Sequence, residues 1–155
     1  MIGAYRIVEN ARLDARNTFG VRATAPMLVE VADAAALPEL FGYAMLRDGP
    51  VLVLGGGSNI VFGRDIDGTV LHMRTRGIDV LAHTGSDVLV SVAAGENWHD
   101  TVAWTLAQGW PGLENLALIP GTVGAAPIQN IGANGRELVD RIDALDASDL
   151  DSGAD

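Results

Sequence analysis

Val51-Leu52-Val53-Leu54-Gly55-Gly56-Gly57-Ser58-Asn59 decides how this chain is read. Val51 to Leu54 form a continuous apolar run between a proline and a glycine, the pattern of a strand covered on both faces. The three glycines that follow carry no Cβ. Their backbone N–H groups can therefore turn inward around an anion such as a phosphate, and Ser58 and Asn59 can add side-chain donors. A plain tight turn after a core strand is the other reading, and the segment alone leaves both open.

Residue types narrow the choice. All 10 basic residues are arginine. A Walker A loop needs its lysine, so 55–59 is not a P-loop, and Schiff-base chemistry is excluded. Ile60 stands where the third glycine of G-x-G-x-x-G belongs, which disfavours a standard dinucleotide fingerprint. No cysteine is present, so disulfides, thiolate metal sites and a cysteine nucleophile are excluded. The formal charge is −10, which argues against duplex nucleic acid or an anionic membrane as a partner. A small anion held by local N–H groups remains compatible with it. No apolar stretch reaches the length of a membrane span, and the N-terminus lacks the order of a signal peptide. A cytoplasmic protein is the expectation.

Working outward from the glycine loop, residues 1–16 carry mixed charges without a period and read as a loosely held start or a first helical turn. Met27 to Val31 reads as a strand. Asp33 is placed to cap a helix with Leu37, Leu40, Phe41, Ala44 and Met45 on one face, Pro38 in its first turn and Gly49-Pro50 as its stop. Val70 to Met73 reads as a strand after the Asp67-Gly68 turn. Together these make a β-α-β-β unit. A second unit begins near Gly77, with strands over 79–82 and 88–94 joined by Thr84-Gly85-Ser86-Asp87. A helix from Trp98 to Gln108 follows, with Asn97 as its N-cap, Gly109 at C′ and Trp98, Val102, Ala103, Leu106 and Ala107 as its apolar face.

Residues 111–135 are apolar, rich in glycine and proline, and without period. A polar composition would be expected of a mere linker. Backbone lying against a large apolar ligand and a packed connection of small residues both account for the segment. The tail from Val139 to Asp155 is acidic. Its Asp149 to Asp155 stretch hints at a calcium loop, but the glycine is one place early for an EF-hand, so a polar turn or frayed end is the better reading.

Four motifs stand in order along the chain: Asn17-Thr18-Phe19-Gly20, Leu54 to Asn59, Gly95-Glu96-Asn97-Trp98-His99, and Pro111 to Gly124 running on through Pro127-Ile128-Gln129-Asn130-Ile131-Gly132-Ala133. In this set the chain resembles the N-terminal half of the UDP-N-acetylenolpyruvoylglucosamine reductase family. The resemblance implies an α/β (α+β) fold, a two-subdomain FAD-binding domain of the vanillyl-alcohol-oxidase (PCMH) type. It divides the chain into a first subdomain over 1–75 and a second, incomplete one over 76–155, C-terminally truncated and without the substrate-binding domain.

By the same resemblance Gly55, Gly56, Gly57, Ser58 and Asn59 hold the FAD pyrophosphate. Ile119, Pro120, Gly121, Thr122, Val123, Gly124, Ala125, Ala126, Ile128 and Gly132 run along the flavin. The implied reaction is NADPH-dependent reduction of UDP-N-acetylglucosamine enolpyruvate to UDP-N-acetylmuramate in peptidoglycan synthesis. FAD is implied to be non-covalent, since no histidine lies in the pyrophosphate loop. Many relatives carry serine at the positions of Ala125 and Ala126, and tyrosine at Asn134. The family's catalytic residues lie past the end of this chain, so no catalytic and no metal-binding residue is assigned, and the chain alone is not expected to turn over. A non-catalytic flavin-binding fragment or subunit, or another flavin oxidoreductase of the same superfamily, is the alternative.

Among single residues, His99 reads as a structural hydrogen-bonding group rather than an acid or base. His72 and His83 read as isolated, Trp98 and Trp104 as packing, and Arg74 and Arg76 as offsets to the acidic surface. Glu114-Asn115 is read as satisfying backbone groups in a turn-rich stretch.

Overall fold

The computed structural model describes residues 3–150. Its contacts divide the chain into two compact units. One runs to Thr75 and takes in the stretch from Leu145, and the other is Arg76–Ala144. The acidic tail is thus divided, where its place in the sequence implies that all of it stays with the second unit: Ile142 packs against the second unit's Trp98 cluster, and Leu150 packs beside the first unit's Val29 and Leu71 cluster.

The first unit is a four-stranded sheet in the order β1-β2-β4-β3, built from β1 (Tyr5–Arg12), β2 (Thr24–Val31), β3 (Val51–Leu54) and β4 (Thr69–Met73). β1 runs antiparallel to β2, while β2 and β3 both run parallel to β4. The expected loose start is therefore an ordered edge strand. Its alternation is interrupted at Asn10, which has φ +48° and lies between the pairs Glu9↔Met27 and Ala11↔Ala25, opposite Pro26. A proline offers no N–H to the ladder, so the strand yields there and its period is hidden from the sequence.

The sheet's two faces carry separate cores. Leu28, Val70 and Leu54 join Leu13 and Phe62 on one side. Val29, Val31 and Leu71 pack with Ala36, Leu40 and Leu46 on the other. The expectation that β3 is covered on both faces does not hold: β3 is an edge strand, and Val53 is 50% exposed.

Asp33 caps as expected, its carboxylate accepting from the Ala35 N–H. The helix that follows is broken into α1 (Leu37–Phe41) and α2 (Ala44–Arg47), with Tyr43 extended between them. Tyr43 is held there by its hydroxyl, 2.7 Å from both the Tyr5 hydroxyl and a Glu39 carboxylate oxygen. The break re-phases the helical face, so Leu46 is buried and Ala44 is exposed.

The second unit opens with the hairpin β5 (Ile78–Thr84) and β6 (Asp87–Val92), which turns at Gly85 with φ +61°. Helix α3 (Trp98–Ala107) begins at Asn97, whose side chain accepts from the Asp100 N–H. Gly109 takes φ +82° just past its end. The buried face is Trp98, Thr101, Val102 and Thr105, whereas Ala103, Leu106 and Ala107 are exposed. The face is rotated from the expected one because the two threonine hydroxyls donate to their own helix, to the carbonyls of Asn97 and Val102. With the hydroxyls satisfied, the methyl groups can be buried at no polar cost.

Trp98 anchors this unit. It is 4% exposed, packs with Val102, Leu116, Ala126 and Leu138, and donates its indole N–H to the Leu116 carbonyl at 2.7 Å. Trp98→Ala is expected to destabilise the second unit by about 3–5 kcal/mol in urea denaturation. Trp98→Phe keeps most of the volume and should lose about 1–3 kcal/mol, for the carbonyl left unpaired.

Candidate functional site

The glycine loop leaves the C-terminal end of β3, and its conformation is fixed from outside the loop. Gly57 is buried with φ +68°. Its carbonyl accepts from the Thr18 N–H at 3.1 Å and the Thr18 hydroxyl at 3.3 Å. A Cβ at Gly57 would lie 2.0 Å from the Arg16 carbonyl oxygen and 3.0 Å from the Asn17 Cα. Only glycine fits this position, for both its φ and its space. Among the described residues no peptide bond is cis. Across a trans peptide, a carbonyl turned inward leaves the next N–H turned the opposite way. The pinned Gly57 carbonyl therefore turns the Ser58 N–H away from Thr18. Gly56 and Asn59 are exposed, and Gly55 and Ser58 are half-buried.

The support under the loop comes from the Asn17 motif. Asn17 is 7% exposed. Its amide donates to the carbonyls of Leu13 and Val21 and accepts from the Val21 N–H. This closes residues 13–21 into a compact turn that presents Thr18 to Gly57.

A charged cluster missed by the sequence reading lies beside the loop. Glu30 on β2 is 7% exposed and faces His72 on β4 in strand register. It accepts from Arg16 at 3.0 Å and Arg74 at 3.1 Å, both through the same oxygen. Burial on its own would raise the Glu30 carboxyl, but the two guanidinium groups outweigh it and hold the group below its ordinary range. His72 Nδ1 is 3.8 Å from Glu30. Burial lowers the His72 ring's pKa, as do Arg16 and Arg74, against the pull of Glu30 and the Gly55 backbone. His72 is therefore not isolated, and Arg74 has a specific partner. Arg16 and Arg74 lie 14 and 44 positions from Glu30, and no local pattern links either to it.

In the second unit, residues 119–132 contain no regular element beyond short 3₁₀ turns and the start of a two-residue strand pair. Thr122 forms a bridge with Asn97, and the Val123 and Gly124 N–H groups donate to the Glu96 and Ala94 carbonyls at 2.9 Å. A Cβ at Gly124 would lie 2.6 Å from the Ala94 Cβ, so glycine lets this segment lie flat against the loop before α3. The Ala125 and Ala126 N–H groups donate to the Thr122 carbonyl at 3.1 Å. Ala126 is 3% exposed and belongs to the Trp98 core. Ile119, Gly121, Thr122, Val123 and Ala125 are half-buried, while Pro120, Gly124, Ile128 and Gly132 are exposed. Ile128 is 81% exposed, and Leu118 is 78% exposed with φ +64°. A leucine in that conformation is strained. It is held by its N–H, which donates to His99 Nδ1 at 3.2 Å, so His99 does the structural work expected of it. The sequence reading did not single out Leu118, and nothing short of backbone angles marks it.

Other residues resolve simply. Arg76 pairs with Glu96 at 3.0 Å. Glu114 accepts from the Gly112 N–H, and the Asn115 carbonyl accepts from the Asn134 amide at 3.1 Å. The Asp149 to Asp155 stretch lies mostly outside the described residues. Among the described residues no cluster of metal-ligating side chains occurs, and no helix is long and apolar enough to cross a membrane.

The first unit thus offers a strand and a glycine loop closed on a buried turn, and the second an apolar segment pressed flat by small residues. Residues 25–153 match the family model described as "FAD binding domain", and the chain belongs to that family. It is 54% identical over 151 residues to the UDP-N-acetylenolpyruvoylglucosamine reductase of Azoarcus sp. (strain BH72), covering 95% of this chain and 44% of that protein. It is 50% identical over 145 residues to the enzyme of the same name from Pseudomonas putida, covering 94% of this chain and 43% of that one. Among solved structures, UDP-N-acetylenolpyruvylglucosamine reductase from Thermus caldophilus matches with a TM-score of 0.63 and 26% identity, over 88% of this chain and 46% of that chain. The chain thus spans less than half the length of the relatives it matches.

Proposed function

We propose that this chain binds FAD non-covalently and serves as the FAD-holding portion of a UDP-N-acetylenolpyruvoylglucosamine reductase in the cytoplasm. In this reading the substrate of the whole enzyme is UDP-N-acetylglucosamine enolpyruvate, the reductant is NADPH, and the product feeds peptidoglycan synthesis. The observation that carries it is the Gly57 cradle, where a Cβ would overlap the Arg16 carbonyl and where the next N–H turns outward. That is the arrangement an anionic phosphate needs. The similarity to the reductases extends it from a phosphate to a flavin dinucleotide.

Bound FAD would supply hydride transfer. The chain's own residues bind and orient. Gly55, Gly56, Gly57, Ser58 and Asn59 hold the pyrophosphate. Ile119, Pro120, Gly121, Thr122, Val123, Gly124, Ala125, Ile128 and Gly132 offer a thin, largely apolar bed for the ring system, with Ala126 anchoring it from beneath. Since the Val123 to Ala126 N–H groups bond within the chain, the bed acts by shape and apolar contact there. No proton donor or acceptor for the reaction is assigned to this chain.

Titration of the purified chain with FAD, followed by flavin fluorescence and visible absorbance, is expected to saturate. A chain that is folded by circular dichroism yet leaves the flavin signal unchanged would overturn the proposal.

A further inference from the structure

Among the described residues, those other than glycine with a positive φ are Asn10, Leu118, Asn130 and Asn134. Asparagine enters that region readily and leucine does not. Leu118, at φ +64°, is therefore the exception, and it is also 78% exposed. Ile128 is as open, at 81%, but is not among the residues with positive φ. Leu118 thus carries two costs, backbone strain and an apolar side chain left in water. Glycine or asparagine in its place would carry neither.

The conformation is imposed from both sides. The Trp98 indole N–H donates to the Leu116 carbonyl at 2.7 Å. The Leu118 N–H donates to His99 Nδ1 at 3.2 Å. The Trp98 backbone N–H donates to the Gly121 carbonyl at 3.1 Å. The first turn of α3 thereby holds residues 116, 118 and 121, and the Leu118 side chain stands out from a backbone fixed on either side of it. Strain of this kind persists where the surroundings over-determine it, and it gathers at ligand clamps. The next residue is Ile119, where the proposed apolar bed begins.

We infer that Leu118 is a cofactor-contacting residue, held open by its strained backbone so that its side chain packs on the ring system of bound FAD. This rests on the proposed FAD binding. The cofactor gives the leucine the apolar cover that the chain withholds, and His99 acts through Leu118 as its positioning residue.

The test compares the unsubstituted chain with Leu118→Gly, Leu118→Asn and Leu118→Met by FAD titration and by urea unfolding without FAD. Glycine and asparagine accept a positive φ, so the unliganded urea midpoint of both variants should rise. Both lose the apolar contact, so FAD should bind about tenfold more weakly, the size of one partly buried leucine side chain. A leucine that served only the fold would not give this opposition of stability and affinity. Leu118→Met keeps the apolar reach and should stay within about threefold of the parent in FAD affinity. The vibronic structure of the flavin's visible absorption band, which sharpens as the ring leaves water, should be less resolved in Leu118→Asn than in the parent. A midpoint that fails to rise in Leu118→Asn, an FAD affinity unchanged in it, or an equal loss in Leu118→Met overturns the inference while leaving the FAD reading intact. A visible band as well resolved in Leu118→Asn as in the parent places the contact off the ring system and overturns it too. Absence of FAD binding by the unsubstituted chain overturns both.

Discussion

Gly57→Ala is expected to be the most damaging single substitution in the first unit, costing about 4 kcal/mol or more in urea unfolding. Two independent penalties add there. The residue would have to keep φ +68°, which costs a residue with a side chain about 1–3 kcal/mol. Its Cβ would also lie 2.0 Å from the Arg16 carbonyl oxygen, so either the loop or the 13–21 turn must move. Movement of either breaks the Thr18 bonds to the Gly57 carbonyl, and FAD binding should fall with stability. Gly56→Ala is the contrast. Gly56 is exposed and is not among the glycines with positive φ, and its substitution should cost less than about 1 kcal/mol. Equal losses at the two positions would contradict this difference in backbone geometry.

Glu30→Leu should rank next, at about 3–5 kcal/mol, because it removes the buried carboxylate that Arg16 and Arg74 share and leaves the half-buried Arg16 without its charge partner. The same carboxylate sets an acid limit. Its pKa in the folded chain lies below the ordinary value of 4.5. Its contribution is therefore complete above the unfolded value and is lost as pH falls through the folded one. The unsubstituted chain should lose urea resistance as the pH is lowered through the carboxylate range, and Glu30→Leu should lose less over the same range. Parallel curves for the two proteins would show that Glu30 does not set this slope.

How much of this was legible in the sequence differs by element. β3 is bounded correctly, since an apolar run ending in glycine leaves little choice of limits. Its burial was overestimated because the pattern of a covered strand does not tell an edge from a centre. β1 was not legible: Asn10 opposite Pro26 breaks the alternation on which a strand is recognised. The α3 cap at Asn97 follows from local chemistry, and so was readable. Its buried face was not, because Thr101 and Thr105 count as polar until their hydroxyls are seen to close on their own helix. The glycine loop stood out at once, but not the unequal weight of its glycines, which depends on a carbonyl about forty positions earlier at Arg16. The Glu30 cluster could not be read at all. Arg16, Glu30 and Arg74 lie on three separate segments, and the parallel pairing of β2 with β4 is what brings Arg74 to Glu30.

That pairing also sets an order in time. The β1–β2 hairpin can form by itself, and β3 can meet β4 across the 14-residue connection from Gly55 to Gly68. Joining the two pairs requires the longer closure of Met27 onto Thr69, whose loop entropy is the larger. Thr18 belongs to the first pair, and the glycine loop belongs to the second. Neither pair alone holds both parts of the proposed anion cradle, so on that reading a cofactor cannot guide the early steps of assembly. It can only capture the chain after the central strands have met, and its arrival marks the end of folding rather than its beginning.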